Sequence, residues 1–352
     1  MAVPIVLPVS AVKKSQMQVV KPYRLLFLIT MSTIIIVVVL SVTTRNRKFV
    51  SKNESITSDN KTGFEWQMPD ISQISASESE LIHYGRDLIA NTSFYLGPKG
   101  KIAAITNGMN CQNCHLDAGT KRWGNNYSGV FSTYPKFRER SGTIENIYKR
   151  VNDCVERSLN GKRGLDTSSR EMQAIEAYIK WLGQNVPKNI KPVGAGIRDL
   201  PFPDRSADPA KGQLVYTQNC QRCHGINGEG SLNTDSTTYI YPPLWGKHSY
   251  TTAAGLFRIS RFSGYVKYNM PFDAPHNTNA RQLTDEEAWD VAAFVNTQPR
   301  PEKNYKKDWP DVSGKPIDYP FGPYADGFSE MQHKYGPFEP IRLSKKQNNY
   351  GK

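Results

Sequence analysis

Two stretches carry residue types and spacing that could do chemistry: Cys111-Gln112-Asn113-Cys114-His115 and Cys220-Gln221-Arg222-Cys223-His224. Cys-x-x-Cys-His is the pattern by which a chain attaches a c-type haem. The two thiols add to the vinyl groups of one porphyrin, and the adjacent imidazole becomes the proximal iron ligand. A zinc knuckle would need two further ligands for each cysteine pair, and of the five cysteines only Cys154 stands outside the two motifs. The spacing therefore predicts two covalently bound haem c groups, one on Cys111, Cys114 and His115 and one on Cys220, Cys223 and His224.

Each iron also needs a sixth ligand or an open site for substrate. For the second haem the expected ligand is Met270 in Tyr268-Asn269-Met270-Pro271, on a proline-fixed loop after the haem motif, with His248 and His276 as rivals and simple packing as the bland reading. No methionine sits comparably for the first haem: Met109 is too close to Cys111 to cross to the other face, and Met172 falls in a packing helix. That leaves Cys154 or His83. A lone cysteine on an apolar helix face is often a small inert core residue, but the neighbours here are unusual. Arg150, Cys154 and Ser158 follow one another at i, i+4 and i+8 along one ridge, and Arg140 lies just upstream. Guanidinium groups lower a thiol's pKa and bind oxyanions; alternatively, these arginines pair with haem propionates.

The elements that must position these residues are helical. Leu81, Ile82, Leu88 and Ile89 mark an amphipathic helix before the first motif. Thr143 is a candidate cap for a helix carrying Ile144, Ile147, Tyr148, Val151, Cys154 and Val155 until Asn160-Gly161, and Ser168-x-x-Glu171 reads as a capping box for a helix with Ile175, Tyr178, Ile179 and Leu182. Asp208-Pro209 opens a helix leading to Cys220, and Thr284-Asp285-Glu286-Glu287 starts a closing helix through Val295. Helix, haem motif, loops, ligand and closing helix thus occur twice. The expected fold is all-α: two cytochrome c-like domains, each with one covalent haem, preceded by a single transmembrane helix. The expected organisation is a cytoplasmic N-terminus at 1–24, an anchor at 25–42, a flexible tether at 43–76, a first domain at 77–185, a linker at 186–207, a second domain at 208–298, and an extended C-terminal arm at 299–352.

Residues 25–42 contain no charge and are long enough to cross a bilayer. Haem attachment of this type follows export, which puts the haem domains on the periplasmic side of the cytoplasmic membrane. The formal charge of +13 does not point to nucleic acid: residues 1–52 hold eight of the 45 Lys and Arg and no acid, leaving 37 bases against 32 acids.

Four features together resemble the dihaem thiosulfate dehydrogenases: His115-Leu116-Asp117-Ala118-Gly119, the stretch from Arg150 to Gly161 around Cys154, the Asn269-Met270-Pro271 loop, and the tail. The tail reads Phe321-Gly322-Pro323-Tyr324-Ala325-Asp326, then Gln332-His333-Lys334-Tyr335-Gly336-Pro337-Phe338. The likeness covers about residues 75–342. It implies that His115 and Cys154 ligate a catalytic haem, that His224 and Met270 ligate an electron-transfer haem, and that Arg140, Arg150 and Ser158 line the substrate site. It also implies coupling of two thiosulfates to tetrathionate, or the reverse reduction, with a cytochrome c or quinone-linked respiratory partner. Some family members place a ligating lysine before the methionine; Asn269 stands here, so ligand exchange is not expected. The membrane anchor departs from the family's usual exported, soluble form. The alternatives are a membrane-anchored dihaem electron-transfer cytochrome without sulfur chemistry, and a haem protein that loads thiosulfate onto a carrier cysteine.

Overall fold

Two helix crossings organise the chain, and a glycine makes each possible. The computed structural model describes residues 63–350 except 71, 73 and 274–281, all within one unit, Thr57–Lys352. Its principal helices are α1 (Ala76–Ala90), α2 (Ile147–Arg157), α3 (Arg170–Gly183), α4 (Pro209–Asn219), α5 (Ile259–Asn269), α6 (Asp285–Thr297), α7 (Glu330–Tyr335) and α8 (Glu339–Tyr350). Helix α1 packs on α3, and α4 on α6. A Cβ on Gly85 would lie 2.0 Å from the Ala174 carbonyl oxygen, and one on Gly212 would lie 1.9 Å from that of Asp290. Only a residue without a side chain lets the backbones approach this closely. The first crossing buries Leu88, Ile89, Met172, Tyr178 and Leu182; the second buries Tyr216, Trp289, Val291 and Val295.

The helix starts are set by short polar side chains. Asp208 accepts from the Ala210 and Lys211 amides ahead of Pro209, and Thr284 with Glu287 forms a reciprocal capping box. Two starts shift from expectation. Helix α2 is capped by Asn146, which accepts from Lys149 N, and α3 by Ser169, one residue beyond the expected Ser168.

The all-α expectation needs correction. Thr143–Glu145 (β2) pairs antiparallel with Lys136–Arg138 (β1), and Ser231–Leu232 (β3) pairs with Tyr239–Tyr241 (β4), so helices share the fold with two ribbons and long irregular connections. Short segments that alternate residue by residue, such as Lys136-Phe137-Arg138, suit a pleated ribbon better than a helix. The single-pass description, and with it the placement at the cytoplasmic membrane, is corrected too. Residues 25–42 lie outside the described residues, and among the described residues no helix is long and apolar enough to cross a membrane. The longest of these, α1 with 15 residues, rises only about 22 Å against a hydrocarbon core of roughly 30 Å.

The C-terminal segment is more structured than an extended arm. Phe338 and Ile341, both fully buried, complete the second core. Upstream of them, residues 303–309 lie along α2. Lys303 Nζ donates to the Glu156 and Gly161 carbonyls, 2.7 Å each, and Trp309 N to the Arg140 carbonyl at 2.7 Å. At the other end of the chain, Trp66 Nε1 donates to the Leu182 carbonyl at 2.9 Å, so this part of the expected tether lies against the first core.

Candidate haem and substrate site

Both haem motifs present an imidazole ready to ligate iron. His115 Nδ1 lies 2.5 Å from the Asn125 carbonyl oxygen and His224 Nδ1 lies 2.9 Å from that of Pro242. A carbonyl only accepts, so Nδ1 carries the proton and the Nε2 lone pair is free for a metal. Burial pushes the His115 imidazole down to about 4, and His224 also below its ordinary value, which keeps both rings neutral. The Tyr127 ring stacks on His115 at 4.5 Å between centroids and fixes its plane. The motif thiols are in dry surroundings: burial raises Cys111 to about 11 and Cys114 to about 12. Among the described residues no three His, Cys, Asp or Glu side chains converge on a bare metal ion. Paired thiols beside a neutral, oriented imidazole therefore fit a covalent haem.

Cys154, half-buried on α2, is close enough for its charge to add to the upward shifts of both Cys111 and Cys114. Three cysteines of the first domain thus share one small region. Arg150 lies one turn earlier on the same helix. The charge of Cys154 is the main reason its guanidinium is held above its ordinary pKa, with burial opposing. Ser158 follows as the C-cap, its amide donating to the Cys154 carbonyl at 2.8 Å.

Arg140 approaches from the loop after β1 and donates to Asp153 Oδ2 at 2.9 Å. Burial, then Arg157 and Arg150 crowding it, lower its pKa. The two arginines named from the sequence therefore differ: Arg140 is tied to a carboxylate, whereas Arg150 has no ion-pair partner among the described residues.

The other candidate ligands lie as follows. His83 is on the exposed side of α1 and His248 is also exposed, while His276 lies outside the described residues. Met109 and Met172 are core side chains. Met270 follows α5 directly, half-buried, and packs against both the second core and Leu116, Ile197 and Tyr265. Asn269, beside it, donates to the Trp123 and Tyr265 carbonyls.

Residues 101–187 match the family described as SoxA/TsdA, cytochrome c domain, and residues 209–299 match the family described as cytochrome c. The thiosulfate dehydrogenase of Psychrobacter arcticus is 37% identical over 210 residues, 59% of this chain and 61% of its own length. That of Allochromatium vinosum is 38% identical over 201 residues, 56% of this chain and 72% of the relative. The chain belongs to the thiosulfate dehydrogenase family. The solved thiosulfate dehydrogenase TsdBA of Marichromatium purpuratum superposes with a TM-score of 0.62 at 28% identity, covering 68% of this chain and 50% of that one. The chain thus spans about three fifths of the Psychrobacter relative and half of the solved one.

Within this thiosulfate dehydrogenase fold, the residues that sequence reasoning missed are those that hold α2 and its arginines in place. Asp308 binds Arg157 through both oxygens, at 2.6 and 2.8 Å. Asp153 gathers Arg140, Lys149 and Arg157. Lys136, Arg138 and Glu145 come from the ribbon. Burial lowers the Lys136 pKa first, followed by the nearby charges of Arg138, Arg150 and Lys191. The alternation Lys136-x-Arg138-x-Arg140 was the one available signal for this cationic edge.

Proposed function

We propose that this chain couples two thiosulfates to tetrathionate, with release of two electrons, or runs the reverse reduction. The proposed site has two covalently bound haem c groups, held by Cys111, Cys114 and His115 and by Cys220, Cys223 and His224. His115 and Cys154 are the proposed iron ligands in the first domain, His224 and Met270 in the second. The haems supply one-electron acceptors; the sulfur chemistry belongs to the chain. The observation that supports this reading best is the position of Cys154. It shares one region with the two haem-attachment thiols and has, one turn away, Arg150, which makes no direct ion pair among the described residues and feels the charge of Cys154 most strongly.

In the first half-reaction the Cys154 thiolate forms a bond to the outer sulfur of thiosulfate, and two electrons leave. The product is a Cys154–S–SO3 monoanion. A second thiosulfate attacks the sulfur bonded to Cys154, forms the central S–S bond of tetrathionate, and returns the thiolate. Arg150 orients the sulfonate oxygens, with Arg140 behind it and Ser158 offering a hydroxyl donor. In each step a thiosulfate dianion must approach a group that is already negative, first the thiolate and then the monoanionic adduct, and cations in a partly dry pocket offset that repulsion far better than water does.

The test is thiosulfate-dependent electron release by purified holoprotein, with tetrathionate quantified and Cys154→Ala assayed alongside. Cys154→Ala should abolish turnover and alter the low-spin signal of one haem only. Arg150→Ala should keep that signal while lowering kcat/KM roughly 10- to 150-fold, the equivalent of about 1.5 to 3 kcal/mol for a charge-assisted hydrogen bond. Substantial turnover by Cys154→Ala would defeat the covalent route and favour a plain electron-transfer cytochrome.

A further inference from the structure

The ribbon beside α2 carries a charge that this reaction does not use. Glu145 lies directly across from Lys136, and Thr143 directly across from Arg138. Side chains alternate along a strand, so these four share one face of the ribbon, while Phe137 and Ile144, both exposed, occupy the other. Glu145 is 1% exposed, and neither of its carboxylate oxygens has a hydrogen-bond partner among the described residues. Arg138 Nε, at 4.0 Å, is within ion-pair range but too far for a hydrogen bond.

A buried carboxylate without donors is costly unless positive charge surrounds it. Here it does: the charge of Glu145 is felt by Lys136 and by Arg150, and the residue immediately precedes Asn146, the cap of α2.

We propose that Glu145 is the resident counter-anion of the substrate site: facing Lys136 and Arg138 in the ribbon, it weakens the hold of the cationic cluster on sulfur oxyanions, so that a dianionic product can leave. The inference rests on the reading of this region as an oxyanion site. Lys136 feels Arg138 and Arg150, and Arg140 feels Arg150, while the other nearby acids are engaged, Asp153 by Arg140, Lys149 and Arg157 and Asp308 by Arg157. Without Glu145 the cluster would hold substrate and product too strongly in the ground state, which lowers turnover without helping the transition state.

Sulfate, an inert dianion, gives a test that needs no turnover. Calorimetric titration of holoprotein should show Glu145→Gln binding sulfate roughly three- to tenfold more tightly than the parent, as expected for removing one partly screened charge. Glu145→Asp, which keeps the charge, should stay close to the parent. In steady state, Glu145→Gln should lower the KM for thiosulfate and also lower kcat, with stronger inhibition by tetrathionate. Thr143→Asp adds an acid on the same face at an exposed position, so it should weaken sulfate binding and serves if Glu145→Gln does not fold. Unchanged or weaker sulfate affinity in Glu145→Gln overturns the proposal, as does equal tightening in Glu145→Asp, which would make the effect one of packing. Failure of the parent to oxidise thiosulfate would instead defeat the proposed function, leaving the sulfate comparison to decide the role of Glu145.

Discussion

Replacing Asp308 by Asn probes how the C-terminal segment holds the helix that bears Cys154. Asp308 receives both terminal nitrogens of Arg157, at 2.6 and 2.8 Å, and the two side chains are only 13% and 7% exposed. The Arg157 guanidinium also lies 3.8 Å over the Tyr305 ring, so segment 305–308 clasps it from two directions. Removing one partner of a buried pair costs about 3 to 5 kcal/mol. Asn keeps one acceptor oxygen, and Asp153 stays within 3.7 Å of Arg157 Nε, so the expected loss is about 2 to 3 kcal/mol. For a domain of this size that corresponds to a melting point lower by roughly 4 to 12 °C. Thermal melts of the holoprotein followed at the haem absorbance would read it, with Asp308→Glu as the charge-retaining control. Because Arg157 is the last residue of α2 and Ser158 its cap, kcat/KM for thiosulfate should fall in Asp308→Asn as well. A shift below about 1 °C would place the pair among ion pairs of negligible worth and refute the clasp.

Other expectations follow from single contacts. Gly212→Ala would put a Cβ 1.9 Å from the Asp290 carbonyl oxygen, so α4 and α6 must separate, at a cost of about 1 to 3 kcal/mol; unchanged stability in a melt would contradict the crossing. Asp318 is buried, which alone would raise its pKa, but Arg258 and hydrogen bonds from Ser260 hold it below its ordinary value of 3.8. A depressed folded pKa stabilises fully above the unfolded value and is lost as pH falls through the folded one, so Asp318→Asn should be less stable at neutral pH and lose less stability below about pH 4. Met270→Ala should remove the near-infrared band of methionine sulfur on ferric haem; an unchanged spectrum would assign that position to another ligand.

The sequence by itself determined the features written in short spans. Cys-x-x-Cys-His places two thiols and an imidazole within five residues, so the haem motifs are legible without a fold. Asp208-Pro209 and Thr284 to Glu287 likewise encode their helix starts locally, because a cap bonds amides only two or three residues away. Local spacing also set Arg150 and Cys154 one turn apart, since a single helix fixes that geometry.

Tertiary structure decided what lies across the chain. The ribbon that brings Glu145 opposite Lys136 depends on a turn and a pairing register, so Thr143, a plausible cap by pattern, became a strand residue instead. The different states of Arg140 and Arg150 depend on Asp153, and the support of α2 on Asp308 and Lys303, some 150 residues away in sequence. The C-terminal segment shows no long periodic run, yet Phe338 and Ile341 complete the second core. Such contacts are chosen by burial and charge among distant residues, quantities that no local period records.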